Sequence, residues 1–173
     1  MTSPRTPGLP AGAPPSPHTP AELATLLRLV TGSKAETVAV GHGRDDASRA
    51  AARAFVEEWE AAGRHVTAVV DWPEEAASWL RAARRLTEPL PDAWVVAGAP
   101  HGWARLSRRL RHSTGWDPLR SFGFASLSDP AVVRLSGAAV LGMRGAGADG
   151  SVWQTGCGRI THRLHPARLS AGS

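Results

Sequence analysis

The chain has 173 residues, which is enough for one domain with a sizeable core. Its formal net charge is +5, and Lys34 is the only lysine among its basic residues. An arginine-rich composition with abundant Ala, Gly and Pro is typical of a GC-rich coding bias. The charge by itself therefore predicts no nucleic-acid partner, which requires a clustered basic face.

The cysteine count and the hydropathy pattern exclude further classes of protein. Cys157 is the only cysteine, so no internal disulfide is expected. No apolar run has the length that a membrane span needs, which predicts no membrane insertion. Prolines occupy the N-terminus where a secretory leader would have its apolar region, so we expect a cytoplasmic protein unless the start site is misassigned.

The sequence predicts three parts along the chain. Residues 1–18 are rich in Pro and Ser and hold little to bury, which is typical of a disordered tail. Residues 19–145 carry helical and strand patterns and form the predicted folded unit. Residues 146–173 form a glycine-rich C-terminal extension, in which residues 151–154 and 159–163 have the pattern of a small hairpin.

A helix is predicted directly after the tail. Thr19 and Glu22 have the spacing of a capping box, and Pro20 occupies the first helical position. Apolar residues then repeat at intervals of three and four, and Gly32 is the predicted end. An isolated helix of this length is marginal, so it is expected to dock on the rest of the fold.

Three short apolar runs follow, at residues 37–41, 66–70 and 93–98. Continuous apolar runs of this length fit strands that are buried on both faces, as in a parallel sheet. The segments between the runs are too long for hairpins and have helical spacing, which predicts right-handed crossovers. Ligands of such sheets bind at the loops after the strand C-termini. Here those loops are residues 41–46, 71–75 and 98–103.

The helices between these strands have recognisable starts. Asp45 or Asp46 is placed to cap the first helix, which is predicted to end at Gly63. The second is predicted to start within residues 71–75, where proline and acids occupy the first turn. The third is predicted to start near His101. The arginines on that helix are predicted to be a solvated face: Arg105, Arg108, Arg109 and Arg111.

The second half of the chain adds to the predicted sheet. Residues 121–127 are predicted as a fourth strand and residues 138–143 as a fifth. Between them, Ser128 or Asp129 is placed to cap a helix. The fold class is therefore predicted to be α/β, an open parallel sheet of four to five strands with helices on both faces.

Residues 41–43 read Gly-His-Gly between a strand and a helix, which is part of a dinucleotide-binding fingerprint. The third glycine would fall at Asp46, and the acids Asp45 and Asp46 repel a pyrophosphate. Asp71 ends the next strand and is placed to accept a ribose hydroxyl. A nucleotide-dependent enzyme that uses residues 41–46 is therefore kept as an alternative.

The remaining reactive groups give weaker patterns. Cys157 with His162 or His165 offers a thiol and a base, but no orienting acid accompanies them. The seven histidines lack metal-ligand spacing, so no metal and no cofactor is predicted, and no catalytic residue is assigned. Trp72 follows the second strand, and its ring is predicted to stack on a solute at that edge.

Several local strings, taken in order, resemble one protein family. They are residues 38–42 leading into a helix, followed by residues 50–59, 61–63, 91–98, 124–130, 137–139 and 142–143. Through them, residues 19–143 resemble the second lobe of type I periplasmic solute-binding proteins, the group of the branched-chain amino-acid receptors. Regulators of the lactose-repressor type share this fold, but no helix-turn-helix precedes it here.

The resemblance implies a non-catalytic solute-binding lobe, similar to the substrate-binding proteins of ABC transporters. It implies ligand contacts near Ala47 and residues 99–100, and an acid for an amino group near Ala125 or Ser126. The predicted ligand edge comprises His42, Arg44, Asp45, Trp72, His101 and Ser126. Because such receptors enclose the ligand between two lobes, a second copy or a separate first lobe is the expected partner. A structural remnant without a ligand is the alternative.

Overall fold

The computed structural model describes residues 13–164, and the predictions for residues 1–12 and 165–173 lie outside that range. The helices are α1 Pro20–Gly32, α2 Asp46–Ala61, α3 Leu80–Thr87, α4 Pro100–Ser113 and α5 Pro130–Ser136. The strands are β1 Thr37–Gly43, β2 His65–Trp72, β3 Ala93–Ala97, β4 Ser121–Gly123, β5 Arg144–Ala146, β6 Val152–Thr155 and β7 Ile160–Arg163. None of these helices is both long and apolar enough to cross a membrane.

One sheet contains all of these strands, in the order β2-β1-β3-β4-β5-β6-β7. The first five are parallel, and β6 and β7 add to them as an antiparallel hairpin. The predicted open α/β sheet is confirmed, with seven strands in place of four to five. The additional strands are the predicted hairpin, which continues the sheet instead of standing apart from it.

Helices cover both faces of the sheet and bury one apolar layer on each. One layer packs under α3, α4 and α5, and the other packs under α1 and α2. Along each strand, side chains alternate between the two layers, because successive side chains point to opposite faces. In β1, Ala39 belongs to the first layer, whereas Val38 and Val40 belong to the second.

Local capping patterns predict the helix starts well. The hydroxyl of Thr19 accepts the Glu22 backbone N–H at 3.1 Å, and the Glu22 carboxylate accepts the Thr19 N–H at 3.1 Å, which completes the capping box of α1. Asp45 caps α2 by accepting the Ser48 N–H at 2.8 Å. Asp129 caps α5 in the same manner.

Two predicted elements are wrong in position, and in each case the segment makes a tertiary contact instead. The second crossover helix starts at Leu80 and not within residues 71–75, because the Glu74 side chain there accepts the Gly102 N–H of α4. The fourth strand ends at Gly123. Beyond it, the Phe124 N–H donates to Val96 O, and the chain turns into a 3₁₀ helix.

The predicted fifth strand at residues 138–143 is also wrong. Residues 137–140 form a 3₁₀ helix, and the strand β5 follows at residues 144–146. Gly142 has φ +88°, a left-handed conformation that breaks an extended run. The hydroxyl of Thr155 donates to the Val140 carbonyl, which holds this turn against β6.

Candidate functional site

A cleft of about 310 Å³ opens at the carboxyl edge of β1, β3 and β4. The first turn of α2 contributes Ala47 and Ser48 to its wall, and α4 contributes Pro100. The loop after β4 contributes Phe124, Ala125 and Ser126. These segments converge because the carboxyl ends of parallel strands meet at one edge of the sheet. The resemblance placed its ligand contacts near Ala47, Pro100 and Ala125, and all of them line this cleft.

Glu22 brings a carboxylate into the cleft from α1. Its side chain is 3% exposed, and one oxygen accepts the Ala125 N–H at 2.6 Å. The other accepts the Thr19 N–H at 3.1 Å. The resemblance implied an acid near Ala125, where the sequence has none, and α1 supplies one from 103 residues away. Sequence reasoning recognised Glu22 only as a helix cap, because nothing local indicates which distant loop its carboxylate reaches.

Ser48 places a buried hydroxyl in the cleft wall. The residue is 2% exposed, and its Oγ has no hydrogen-bond partner within residues 13–164. A buried polar group without a partner costs about 1–3 kcal/mol. This hydroxyl therefore has unused hydrogen-bonding capacity directly behind the surface of the cleft. Ser48 lies on the buried face of α2.

The chain's own N-terminal segment runs along the mouth of the cleft. Residues 13–18 contain no helix or strand, and His18 lies with its ring edge-on to Phe124 at 6.0 Å between centroids. The sequence predicted that the carboxyl edge of the sheet would be open. In the structure, residues 13–18 partly cover the mouth of the cleft at this edge, and the cleft is retained beneath them.

Of the six predicted ligand residues, only Ser126 lines the cleft, and its hydroxyl donates to Gly98 O at 2.7 Å. Arg44 lies further along the rim and binds Asp71 at 2.7 Å, which holds the pKa of the Asp71 carboxyl below its ordinary value. His42 is half-buried and contacts its neighbour's carbonyl, Gly43 O, at 2.7 Å.

Trp72 does not occupy the position that the sequence predicted. It is fully buried, and its indole packs on Trp103 with 6.0 Å between ring centroids. A methyl group on Gly41 would meet this ring at 2.7 Å, so the glycine leaves room for the indole. The prediction that Trp72 stacks on a solute is therefore corrected, because its ring faces the core and not the cleft.

Residues 41–43, which are the last residues of β1, are also unsuited to a nucleotide. A methyl group on Gly43 would lie 3.0 Å from Asp45 Oδ2 and 3.4 Å from Glu74 Oε1. Two carboxylates beside the turn repel the pyrophosphate that a dinucleotide fingerprint cradles. The glycine at residue 41 is explained by Trp72. The geometry therefore argues against the nucleotide-dependent alternative.

Glu74 is the acid in this region with the most perturbed environment. Its Oε2 accepts the Gly102 N–H at 3.0 Å, whereas its Oε1 is buried without a partner among the described residues. The Asp45 Oδ2 is buried and unpartnered in the same way. Burial of the Glu74 carboxyl raises its pKa above the ordinary value of 4.5, and the charge of Asp45 raises it further. His101, which lies half-buried nearby, opposes this rise.

We expect the Glu74→Gln variant to become progressively more stable than the wild type as pH rises above 4.5. An acid whose pKa is raised by folding stabilises the fold below its unfolded pKa, and this contribution is lost as pH rises through the folded pKa. Glutamine has no such charge to bury and offers an N–H to Asp45. The gain at neutral pH should be about 1 kcal/mol. Urea unfolding between pH 4 and pH 8 measures it.

Glu75→Gln is the matched control, because it makes the same change at an exposed neighbour. Its unfolding free energy should run parallel to that of the wild type over the same pH range. If both variants gave the same pH dependence, the burial of Glu74 would not be its cause.

Cys157 and His162 do not line the cleft. Within residues 13–164, no three His, Cys, Asp or Glu side chains are grouped to hold a metal ion. Cys157 is exposed. His162 lies in β7, and His165 lies outside the described residues.

Comparison with known proteins shows what this fold is. No protein-family model matches the chain, and no curated protein sequence matches it. Among solved structures, a branched-chain amino acid ABC transporter protein from Rhodospirillum rubrum is similar, at 23% identity and a TM-score of 0.63. The match covers 73% of this chain and 36% of that one.

Two further solved structures give the same result. The leucine binding protein LivK from Thermotoga maritima has 20% identity and a TM-score of 0.62, over 72% of this chain and 35% of that protein. A substrate-binding periplasmic protein from Ralstonia solanacearum has 17% identity and a TM-score of 0.65, over 76% and 37%. The chain thus spans about a third of the length of these proteins. The matched part, about three quarters of this chain, therefore has the fold of a single lobe of the type I periplasmic solute-binding proteins.

Proposed function

We propose that this chain is a solute-binding lobe that holds a small molecule in the cleft at the carboxyl edge of its sheet. The observation that carries the proposal is the buried Ser48 hydroxyl, which lacks a partner and lies in the same wall as the Glu22 carboxylate. The structural neighbours are substrate-binding proteins of ABC transporters. The names of the first two refer to branched-chain amino acids and to leucine. Binding without turnover is the activity that this arrangement supports.

The lining of the cleft favours a solute with a positive or hydrogen-bond-donating group. Glu22 and Asp129 bring carboxylates to it, and no arginine or lysine lines it among the described residues. His18 is the remaining titratable group. Phe124 and Pro100 add apolar surface. We therefore propose a small amine or amide, because a carboxylate keeps acceptor capacity beyond the two N–H groups that Glu22 already binds.

A second wall is needed to enclose such a ligand. Small-molecule sites have volumes of about 300–1,000 Å³ and bury most of the ligand surface. The cleft, at about 310 Å³, lies at the lower end of this range and is built by one lobe. We propose that a second copy of the chain or a separate first lobe covers it. The lone chain is then expected to bind with a dissociation constant of about a millimolar.

A thermal-shift screen of the full chain tests this function. At 10 mM of a ligand with a millimolar dissociation constant, binding adds about 1.4 kcal/mol of stability. For a chain of this size, that raises the melting temperature by roughly 3–6 °C. Leucine, alkylamines and amides should give such shifts, whereas the corresponding carboxylic acids without an amine should not. A flat screen on a protein that sediments as a monomer would instead favour the remnant without a ligand.

Two buried serines provide a matched test of the cleft wall. Ser48→Ala should leave stability unchanged or raise it by about 1 kcal/mol, because the lost hydroxyl was buried without a partner. It should also reduce the ligand-induced shift. Ser121→Ala removes a hydroxyl that donates to Asp117 O at 2.9 Å, and should cost about 1 kcal/mol while leaving the ligand response intact. If Ser121→Ala and not Ser48→Ala reduced the ligand-induced shift, the ligand would bind outside this cleft. Urea unfolding and the same thermal-shift screen measure both.

A further inference from the structure

A second concave surface lies along α4 and the turn before β5, and the proposed solute site does not use it. We call it the basic groove: its volume is about 1320 Å³, and Arg105, Arg108, Arg109, Arg111, Leu119 and Leu141 are among the residues that line it. The helix α4 starts at the carboxyl edge of β3 and runs back along the sheet, and β4 and β5 begin beside the groove. The groove shares no lining residue with the cleft. Its volume exceeds the 300–1,000 Å³ of small-molecule sites, which favours a macromolecular segment as the occupant.

The groove carries positive charge that no ion pair within residues 13–164 neutralises, although the charge of Arg105 also acts on the Glu74 carboxyl and lowers its pKa. All four of its arginines are exposed and come from α4, and His112 follows them. Within residues 13–164, no carboxylate lies within 4.0 Å of any of these four guanidinium groups. Asp117 is the only acid among the lining residues, and it pairs with Arg120 at 3.5 Å.

Apolar side chains share the groove with these charges. Leu119 is 63% exposed and Leu141 is 48% exposed, and both present apolar surface to the groove. Leu119 is held in place because its side chain rests on Gly142, where a methyl group would lie 2.4 Å from it. The apolar surface is thus positioned before any partner binds.

We propose that the basic groove docks an acidic amphipathic segment of a partner protein. Carboxylates of the segment pair with the arginines of α4, and its apolar side chains cover Leu119 and Leu141. Residues 105–112 extend over about 10 Å of helix, which matches about two turns of a bound helix. A nucleic acid would satisfy the arginines through its phosphates but would leave the two leucines without apolar partners, because such interfaces are polar.

The test measures fluorescence anisotropy of a labelled 16-residue peptide with the full chain. The peptide carries leucines at positions i, i+3, i+4 and i+7 and glutamates beside them. We expect a dissociation constant of tens of micromolar or tighter. The Arg108→Glu/Arg111→Glu variant should weaken binding by about 30-fold or more. The Arg53→Glu/Arg81→Glu variant has the same net charge, with exposed sites outside the groove, and should change binding less than about threefold.

Three further arms separate the contributions. A peptide with glutamine in place of glutamate should lose at least tenfold in affinity, and the Leu119→Ser variant should weaken the acidic peptide by about tenfold. Circular dichroism verifies that each variant is folded. The proposal is overturned if the peptide fails to bind below about 200 µM, or if both double variants weaken it equally. It is also overturned if a 16-nucleotide single strand binds more tightly than the peptide, which would assign the groove to nucleic acid.

Discussion

Gly145→Ala is expected to destabilise the fold by at least about 3 kcal/mol, at or beyond the upper end of the usual cost of overpacking. The residue lies in β5 between Gly123 of β4 and Trp153 of β6. An added methyl group would lie 2.2 Å from the Gly123 carbonyl oxygen and 2.2 Å from the Trp153 ring. Neither neighbour moves easily, because the first is backbone and the second is fully buried. Urea unfolding followed by circular dichroism gives the loss directly.

Gly115→Ala is the matched control for this substitution. No heavy atom beyond its chain neighbours lies within 4 Å of a methyl group at residue 115, and its backbone is not left-handed. The variant should be neutral or stabilised by up to about 1 kcal/mol, because alanine restricts the unfolded chain. If Gly145→Ala were as stable as Gly115→Ala, Trp153 would not pack across β5 as described.

Trp72→Ala is expected to cost about 3–5 kcal/mol, because it empties a fully buried position against Trp103. For a domain whose total stability is about 5–15 kcal/mol, this is a large fraction. The melting temperature should fall by roughly 10 °C or more. Thermal unfolding followed by circular dichroism at 222 nm measures the change.

Two phenylalanine variants show what the indole contributes. Trp72→Phe loses no hydrogen bond, since the Trp72 Nε1 has no partner among the described residues. Trp94→Phe makes the same change in volume but removes the bond from Nε1 to Leu86 O at 2.8 Å. The second variant should be less stable than the first by about 1 kcal/mol. If Trp72→Ala kept full stability and lost only ligand affinity, the ring would contact solute as the sequence had predicted.

The architecture was predictable because its signals are local and repeated. Buried parallel strands require continuous apolar runs, and the runs at residues 37–41, 66–70 and 93–98 became β1, β2 and β3. The starts of α1 and α2 were predictable for the same reason, since Thr19 and Asp45 bond to residues only three positions away, whereas the predicted start of α3 was wrong. The strand near residues 138–143 failed because its apolar residues pack through a turn that depends on Thr155 of a distant strand.

The side chains of the candidate site were less predictable from the sequence than the fold. The strand order identified the correct edge of the sheet, but the distribution of side chains along that edge depends on contacts between distant residues. Trp72 follows a strand, as a ligand contact would, yet its ring turns into the core, where Gly41 leaves room for it. Arg44 and His42 lie on the rim but are engaged with Asp71 and Gly43 O.

The sequence by itself determined the open parallel sheet with helices on both faces and the edge at which a ligand is expected, because apolar periodicity and capping act over a few residues. Only the tertiary structure decided which groups meet there. Glu22 reaches the loop after β4 across 103 residues, and Ser48 is left with an unpartnered hydroxyl, because packing fixes both positions after the chain has folded. The sequence predicted that the arginines of α4 form an exposed face. It did not predict that they lie in one groove with Leu119 and Leu141, because these residues come from separate segments of the chain.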